Sequence, residues 1–361
     1  MIAAWKVKRE WNRFKMQLAQ WHWFLFGGLR RKHYDRTRAK TIRYTEGARP
    51  LASDVAILLI YQPSGLLDSL FTELDHLHAK GIATIVVSNA PIASQDLERL
   101  QKQCHLILQR PNYGYDFGGY RDGVLTLFER GITPDNLFIL NDSVWFPLDP
   151  QCQLIDHSRS SEADLFGIYY NERPKTPHRS HLQSYYYRFN RRLVASQEFE
   201  TYWRDLTLTN NKYMVVRQCE IKLTHALSSR GYTIDYLFDN AKVRRAILVL
   251  SDPELLVMLR YQAQVETRLV EAAAPLIAEG ISAENWRQRV QVLVDEGRLG
   301  KYFLILHPLV LLRELGSPIL KKDHQKIYQL QRQELFQSGL DGSFPRPLRD
   351  EIAQWDDITD P

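Results

Sequence analysis

Cysteine is scarce in this chain, and its three cysteines lie far apart. Cys104, Cys152 and Cys219 form no Cys-x-x-Cys pair and no disulfide framework, which favours a reducing compartment. No apolar run approaches the roughly 20 residues needed to span a bilayer, and the amino terminus lacks the layout of a signal peptide. Walker, Gly-x-Ser-x-Gly and His-Glu-x-x-His motifs are also absent, which argues against the hydrolase classes that use them.

Positive charge is concentrated at the amino-terminal end. The 361 residues carry a net charge of +5, yet residues 1–50 contain 13 Lys/Arg and 3 Asp/Glu. The aromatic residues of this segment are Trp5, Trp11, Phe14, Trp21, Trp23, Phe24 and Phe26. Cations interleaved with tryptophan on a predicted helix favour contact with an anionic membrane surface. An amphipathic helix packed on the rest of the chain or on a partner is the alternative. No nucleic-acid-binding signature accompanies the charge, so no nucleic-acid partner is expected.

Apolar runs and helical stripes alternate from residue 55 onward. The predicted strands cover 55–61, 83–89, 105–110 and 136–140, with predicted helices between them. The first of them, VAILLIY at 55–61, is a continuous apolar run, which is typical of a strand buried on both faces. The order indicates an α/β fold with a doubly wound, mostly parallel sheet. Ligands bind such sheets beyond the carboxyl ends of the strands, where this sequence places polar residues.

The second half of the chain is less regular. Strands are predicted at 164–170 and 184–190, and helices at 198–206 and 220–231. We therefore predict four segments, which are a basic amino-terminal segment (1–50), an α/β domain (51–250), a helical region (251–340) and a loop-like tail (341–361).

A glycine-rich stretch, NYGYDFGGYRDG at 112–123, follows the third predicted strand and precedes a helix. Glycines let backbone N–H groups approach a phosphate closely, and a loop between strand and helix is a suitable anion site. The candidate donor-binding residues here are Asn112, Gly114, Asp116, Gly118, Gly119, Arg121 and Asp122. A tight turn with packed aromatic residues is the alternative. The spacing does not match the dinucleotide-binding Gly-x-Gly-x-x-Gly.

Two other strand ends carry polar residues. Ser88 and Asn89 follow the second predicted strand, and Asn141, Asp142 and Ser143 follow the fourth. All five are candidate donor-binding residues. Asp142 is also the candidate ligand for a divalent cation that bridges a diphosphate. A turn or a helix cap is the alternative for such an aspartate.

Glu220 is the candidate general base, because it begins an amphipathic helix and could take a proton from an attacking hydroxyl. An ordinary first-turn glutamate that satisfies the helix dipole is the alternative. His181, Gln183 and Ser184 precede an aromatic strand and are candidate acceptor-binding residues. His178 and His181 have helical spacing, but their predicted loop setting argues against a metal site.

Seven blocks of the chain, taken together, resemble the rhamnan synthesis protein F family over about residues 53–325. They are VAILLIYQPSG, VVSNAP, NYGYDFGGYRDG, LNDSVWFPL, HLQSYYYRF, EIKLTHALSSRGY and HPLVLLRELGSPILKK. The resemblance implies a GT-A-like glycosyltransferase of bacterial polysaccharide or O-antigen synthesis.

The blocks also look like a distant version of glycosyltransferase family 2, which implies roles for single residues. Asn112–Gly114 matches its Asn-x-Gly loop, and Asp122 would be its sugar-binding acid. Ser88–Asn89 stands where an Asp-rich segment holds the nucleobase. Asp142 is the one carboxylate left where the family has Asp-x-Asp. Glu220 takes the position of the catalytic base.

The same resemblance implies inverting transfer of rhamnose from dTDP-L-rhamnose to a lipid-linked or lipopolysaccharide glycan, with Mg²⁺ or Mn²⁺ as the candidate cofactor. It implies a cytoplasmic protein that is peripheral on the inner face of the inner membrane. A non-catalytic glycan- or nucleotide-binding subunit is the alternative, because each expected pair of acids is reduced to one. A preserved pocket with Asp142 and Glu220 on opposite sides of one cleft would favour the enzyme, whereas two distant residues, or residues buried in salt bridges, would favour the subunit.

Overall fold

A computed structural model describes residues 4–357, with side chains between residues 4 and 24 described only at Trp11 and Trp21. Its strands are β1 (Arg43–Glu46), β2 (Asp54–Ile60), β3 (Ile82–Ser88), β4 (Leu106–Gln109), β5 (Asn136–Asn141), β6 (Val144–Trp145), β7 (Leu165–Asn171), β8 (His181–Leu182), β9 (Tyr186–Asn190), β10 (Ile234–Phe238) and β11 (Leu320–Lys321). The predicted α/β fold is confirmed, and each predicted strand corresponds to a strand of the sheet.

The main sheet has nine strands in the order β1-β4-β3-β2-β5-β9-β7-β10, with β8 paired to β7. The four central strands, β4, β3, β2 and β5, are parallel. Antiparallel β1 extends one side and antiparallel β9 and β7 extend the other, followed by β10, which is parallel to β7. A separate antiparallel ribbon pairs β11 with β6. This topology brings the carboxyl ends of the central strands to one edge.

Helices cover both faces of the sheet. They are α1 (Ala4–Thr41), α2 (Asp68–Ala79), α3 (Ser94–Gln101), α4 (Tyr115–Glu129), α5 (Leu154–Ser160), α6 (Arg191–Val194), α7 (Gln197–Asp205), α8 (Lys212–Val215), α9 (Ile221–Ser228), α10 (Asn240–Leu248), α11 (Asp252–Val265), α12 (Val270–Glu279), α13 (Trp286–Asp295), α14 (Lys326–Gln337) and α15 (Arg346–Gln354). Short 3₁₀ and π-helical turns lie at 177–179, 216–220, 303–305, 309–314 and 355–357.

Each central strand is buried on both faces, as its apolar run predicts. In β2, alternate residues belong to two different hydrophobic clusters, one on each side of the sheet. Ala56, Leu58 and Ile60 pack with α2 and the carboxy-terminal helices, whereas Ile57 and Leu59 pack with α4, α7 and α9. The carboxy-terminal helices therefore share a continuous core with the sheet.

The carboxy-terminal end differs from its prediction. Residues 346–354, predicted as part of a loop-like tail, form α15, and Leu348 and Ile352 are buried in the core. Pro347 lies in the first turn of α15, where its missing N–H has no helical partner to lose. Prolines that suggested a loop therefore mark the start of a helix. The division into four segments stays a prediction.

α1 combines a long basic helix with exposed apolar side chains. Trp21, Leu25 and Leu29 are spaced four residues apart and are each more than 60% exposed, at 67%, 62% and 66%. Trp11 is also exposed, whereas Trp5, Phe14, Trp23 and Phe24 lie outside the described side chains. Within residues 4–357, none of the helices combines the length and the apolar character that crossing a bilayer requires.

Candidate functional site

Asp142 lies where the central parallel strands end. Its carboxylate accepts hydrogen bonds from the backbone N–H of Tyr61 (2.8 Å) and from Nε2 of Gln62 (3.1 Å), which follow β2. Its own N–H donates to the carbonyl of Leu59. Burial raises the pKa of Asp142, and the nearby Lys322 charge and the Tyr61 N–H oppose this rise. The side chain is half-buried, so a ligand can still reach it.

Asp116 lies on the first turn of α4, beside Asp142. The turn begins at Gly114, whose φ of +84° lies in the left-handed region that glycine adopts readily. Burial, together with the charge of Asp142, raises the pKa of Asp116 to about 6. Lys321 and Lys212 lower it. The charges of two carboxylates and two lysines therefore interact electrostatically at this edge of the sheet.

A hydrogen-bonded chain joins this edge to Glu220. Nδ2 of Asn141 donates to the hydroxyl of Tyr120 (2.7 Å), which donates to the carbonyl of Ser184 (2.8 Å). The N–H of Ser184 donates to Oε1 of Glu220 (3.1 Å). Burial raises the pKa of Tyr120 well above its usual value, so its hydroxyl keeps the proton that it donates. Asn141 is also 3.4 Å from the Asp116 carboxylate.

Glu220 is the last residue of a π-helical turn, Val216–Glu220, that runs into α9. Such turns occur frequently at functional sites. Burial and the Asp116 charge raise the pKa of Glu220 and the Ser184 N–H and Lys321 lower it, which leaves it at about 7. A carboxylate with a pKa near neutrality suits general-base catalysis. We call the three acidic residues Asp116, Asp142 and Glu220 the carboxylate cluster, and Lys321 is the cation that acts on all three.

Lys321 was not predicted from the sequence. It lies on β11, where it pairs with Val144 of β6, and the N–H of the following Lys322 donates to the carbonyl of Ser143. The late block HPLVLLRELGSPILKK ends in these two lysines, so it was the available signal. About 180 residues separate Lys321 from Asp142, and no periodicity in the sequence predicts that pairing. Tyr120 and Gln62 were also not predicted, because nothing in the sequence around them marks either side chain as part of a site.

The glycine-rich stretch is mostly helix, which corrects its prediction as a phosphate-binding loop. A Cβ on Gly119 would lie 2.2 Å from Leu59 Cδ1, and one on Gly123 would lie 2.7 Å from Ile57 Cγ2. A Cβ on Gly118 would lie 2.0 Å from the carbonyl oxygen of Tyr113. These glycines therefore allow α4 to pack closely on β2, and they need no ligand to explain them.

Arg121 and Asp122 do not join the carboxylate cluster, which corrects their predicted donor-binding role. Asp122 is fully buried and accepts hydrogen bonds from Tyr34, Arg38 and Arg110. The Arg121 guanidinium pairs with Asp35 and donates to the carbonyls of Trp203 and Arg204. Both side chains hold α1 against α4.

The other predicted donor residues are dispersed. Asn89 accepts from Arg110 (2.5 Å) and lies near the start of α4, while the hydroxyl of Ser88 donates to the Ala90 carbonyl. Asn112 is exposed. Ser143 donates to Asn141 Oδ1 and so helps to orient the amide of the hydrogen-bonded chain.

Of the predicted acceptor residues, Ser184 lies beside Glu220 through its backbone. His181 is buried on β8, and its Nδ1 lies 2.7 Å from the Arg179 carbonyl. Burial lowers the pKa of His181, which favours a neutral ring. Oε1 of Gln183 is buried and has no hydrogen-bond partner among the described residues.

The metal prediction rests on Asp142, and the structure places Asp116 near it. Within residues 4–357, no group of three or more His, Cys, Asp or Glu side chains is arranged to hold a metal ion. Asp116 and Asp142 both offer carboxylate oxygens at the strand ends, and the Asp142 charge raises the pKa of Asp116. A divalent cation would relieve that repulsion, so these residues fit a cation whose remaining ligands come from substrate and water.

Comparisons with known proteins indicate the family to which this chain is similar. Residues 84–260 match the family described as Rhamnan synthesis protein F. An uncharacterized protein, y4gN, of Sinorhizobium fredii is 39% identical over 99% of this chain and 93% of its own length. Virulence protein VirA of Vibrio anguillarum is 29% identical over 37% of this chain and 42% of its own length. The mannosyltransferase PcManGT from Pyrobaculum calidifontis, solved with GDP-Man and Mn²⁺, has a TM-score of 0.33 at 12% identity, over 84% of this chain and 96% of its own.

Proposed function

Because this chain belongs to the rhamnan synthesis protein F family, we propose that it is a glycosyltransferase that moves a sugar from a nucleotide sugar to a glycan. The observation that carries the proposal is the link between the strand-end residue Asn141 and Glu220 through Tyr120 and Ser184. Neither Glu220 nor Asp142 forms a salt bridge with any described residue. The lack of salt bridges at these two carboxylates supports the enzyme over a non-catalytic subunit.

In the proposed reaction, Glu220 removes the proton from an acceptor hydroxyl. That oxygen forms a bond to the anomeric carbon as the bond from this carbon to the diphosphate oxygen breaks, with inversion. The electron pair leaves with the nucleoside diphosphate, and the proton stays on Glu220. A Mg²⁺ or Mn²⁺ ion held by Asp142, with Asp116 beside it, would offset the negative charge of the diphosphate.

The donor and acceptor follow from the family resemblance. We propose dTDP-L-rhamnose as donor and a lipid-linked or lipopolysaccharide glycan as acceptor, on the cytoplasmic side of the bacterial inner membrane. The backbone N–H of Ser184 donates to the Glu220 carboxylate, which supports an acceptor site on this side.

A ligand screen tests the proposed function. The full chain is heated with dTDP-L-rhamnose and a panel of other nucleotide sugars, with MnCl₂ and with EDTA. A ligand at about 100 times its Kd stabilises the native state by about 2.7 kcal/mol, so dTDP-L-rhamnose should raise the Tm by several degrees. Mass spectrometry of a rhamnosylated glycan acceptor then measures transfer. A nucleotide sugar that stabilises the chain but is never transferred would support the binding subunit, and no stabilisation by any donor would contradict both.

The exposed stripe on α1 supports membrane contact. Trp21, Leu25 and Leu29 face outward on a helix whose segment carries a large excess of cations. Leu25→Ser with Leu29→Ser should reduce binding to anionic vesicles of phosphatidylglycerol severalfold, measured by sedimentation, because apolar burial adds to charge attraction. Val249→Ser removes an equally exposed apolar side chain from α10's end and should bind as wild type does. Unchanged binding of the double variant would contradict membrane contact through this stripe.

A further inference from the structure

Two neighbouring lysines of the β11 region have different surroundings. Lys322 is almost fully buried, with Nζ 2.7 Å from the Ser69 hydroxyl and 3.3 Å from Glu351, and it packs on the rings of Trp145 and Trp355. These contacts account for its charge. Lys321 points to the other side of the strand, as alternate strand residues do. Its ammonium group forms no hydrogen bond and no ion pair within 4 Å with any residue that the structure describes.

The Lys321 charge nevertheless acts on the whole carboxylate cluster. It lowers the pKa of Asp116, of Asp142 and of Glu220. Burial lowers the pKa of Lys321 itself, and the charges of Asp323, Asp116 and Asp142 oppose this. The charges of Asp116, Asp142 and Asp323 offset part of the cost of burying this cation, but none of them forms an ion pair with it, so its ammonium group remains available to an anionic ligand.

β11 holds this lysine in place. Lys321 is paired with Val144 of β6, and its neighbours on both sides are fixed, since Leu320 is fully buried and Lys322 is bonded. The backbone of this lysine is therefore positioned two residues from Asp142 along the paired strand. A fixed backbone with a free ammonium group is the arrangement of a ligand-binding side chain rather than of a mobile surface lysine.

We infer that Lys321 binds the diphosphate of the donor and stabilises the negative charge of the departing nucleoside diphosphate. This inference rests on the proposed function and deepens it. When the bond between the anomeric carbon and the diphosphate oxygen breaks, the electron pair stays on that oxygen, which the Lys321 ammonium then contacts. The acceptor oxygen takes its place on carbon, and its proton goes to Glu220. A fixed cation that meets developing charge is an effective way to lower a barrier.

Lys212, on a different element of the fold, also contributes positive charge to this site. It lies at the start of α8, is exposed, and acts electrostatically on both Asp116 and Lys321. An exposed lysine attracts an anion to the site but fixes it weakly, because its charge is screened by salt. Lys321 is therefore the binding residue, and Lys212 adds attraction over a longer distance.

This role changes what a divalent cation must do. With only two aspartates at the strand ends, a metal ion would be held weakly by the chain alone. A fixed ammonium group supplies positive charge without a metal. We therefore expect wild-type chain to bind a nucleoside diphosphate in EDTA, with Mn²⁺ improving the affinity rather than creating it.

Calorimetric titration of the full chain with dTDP, and with UDP and GDP in parallel, tests the inference in EDTA and in MnCl₂. Lys321→Ala should weaken binding in EDTA by about ten- to a hundredfold, as expected for a lost hydrogen bond between charged groups. Lys321→Met keeps the apolar stem and should weaken binding similarly, whereas Lys321→Arg keeps the charge and should retain most of the affinity. Lys326→Ala removes an exposed lysine five residues away and should bind as wild type does.

Each failure has a distinct meaning. Wild-type affinity in both Lys321→Ala and Lys321→Met, with native circular dichroism, overturns the lysine assignment and leaves the proposed function in place. Binding that is absent in EDTA and identical in wild type and variants with MnCl₂ also overturns it, because the metal then supplies the charge. A wild-type chain that binds none of the three diphosphates in either buffer overturns the inference together with the proposed function.

Discussion

Replacement of Glu220 by Gln should lower the turnover number by about 10²- to 10⁴-fold, which is the usual contribution of a general base. Gln has nearly the same shape, and its carbonyl oxygen can still accept the hydrogen bond from the Ser184 N–H. Donor affinity should hardly change, because the base faces the acceptor. Initial rates at saturating donor and acceptor, together with calorimetric donor binding, separate these two quantities.

The pH dependence gives a second measurement of the same residue. The pKa of Glu220 is raised to about 7, so wild-type turnover should increase as pH rises through 7 and then level off. The folded chain holds this proton at pH values where the unfolded chain has lost it. The stability of the native state therefore falls as pH rises from 4.5, the ordinary pKa of a glutamate, to about 7, and then levels off. Glu220→Gln cannot ionise, so its Tm should exceed that of wild type at pH 8 and approach it at pH 5.

Glu284→Gln is the matched control, because Glu284 is exposed and far along the chain. It should keep wild-type turnover and the wild-type pH profile. If Glu220→Gln keeps more than about a tenth of wild-type turnover, another group removes the proton, and Asp116 would be tested next. Loss of folding and of donor affinity together would instead make Glu220 a structural residue.

Replacement of Asp122 by Ala should destabilise the protein by about 3–5 kcal/mol, because it removes the ion-pair partner of the buried Arg110 and leaves Arg38 paired with the half-exposed Glu129. The Asp122 carboxylate lies 2.5 Å from Nε of Arg110 and 2.9 Å from Nε of Arg38. The side chains of Asp122 and Arg110 are both fully buried, and that of Arg38 is 7% exposed. Without the carboxylate, two guanidinium groups remain close together in the interior. Urea unfolding followed by circular dichroism measures the change.

A surface pair provides the control for this experiment. Asp135 pairs with Arg191 at 2.8 Å, but both side chains are more than half exposed, so Asp135→Ala should cost no more than about 1 kcal/mol. A stable Asp122→Ala variant that has lost donor affinity would restore the predicted sugar-binding role of Asp122. A stable variant with normal affinity would mean that water or local rearrangement compensates for the lost carboxylate.

The central strands could be predicted because their physical signal is local. Residues 55–61 and 137–140 are apolar throughout, which is typical of a strand covered on both faces. β10 gave no such signal, since it lies at the edge of the sheet and most of its residues are only half-buried. Its side chains carry less of the core, so its sequence is less constrained.

The first half of α4 was predicted as a loop because glycine disfavours helices. That local cost is outweighed by packing, since a side chain on Gly119 or Gly123 would overlap with Leu59 or Ile57 of β2. The propensity of single residues could not indicate this. It depends on how close the helix lies to a strand about 60 residues earlier in the chain.

The residues of the candidate site that follow a predicted strand could be predicted from the sequence. Those that reach the site because distant segments of the chain meet could not. Asp142 and Glu220 were chosen by position along the chain and both lie in the carboxylate cluster, although their roles remain predictions. Lys321 reaches the cluster through the pairing of β11 with β6, which no spacing in the sequence indicates. Asp35 and Arg38 belong to the basic amino-terminal segment, yet both form ion pairs with side chains of α4.

The pairing of α1 with α4 has a consequence for how relatives of this chain can diverge. Arg38 and Arg110 both depend on Asp122, and Arg121 depends on Asp35. A lineage that lost α1 would expose these charged side chains to water or leave them without ion-pair partners. It would therefore have to replace several of them at nearly the same time. Intermediates with only one replacement would be poorly stable and rarely inherited. Relatives that retain Arg110, Arg121 and Asp122 should therefore also retain a helix equivalent to α1, even where the sequence of its exposed face has changed beyond recognition.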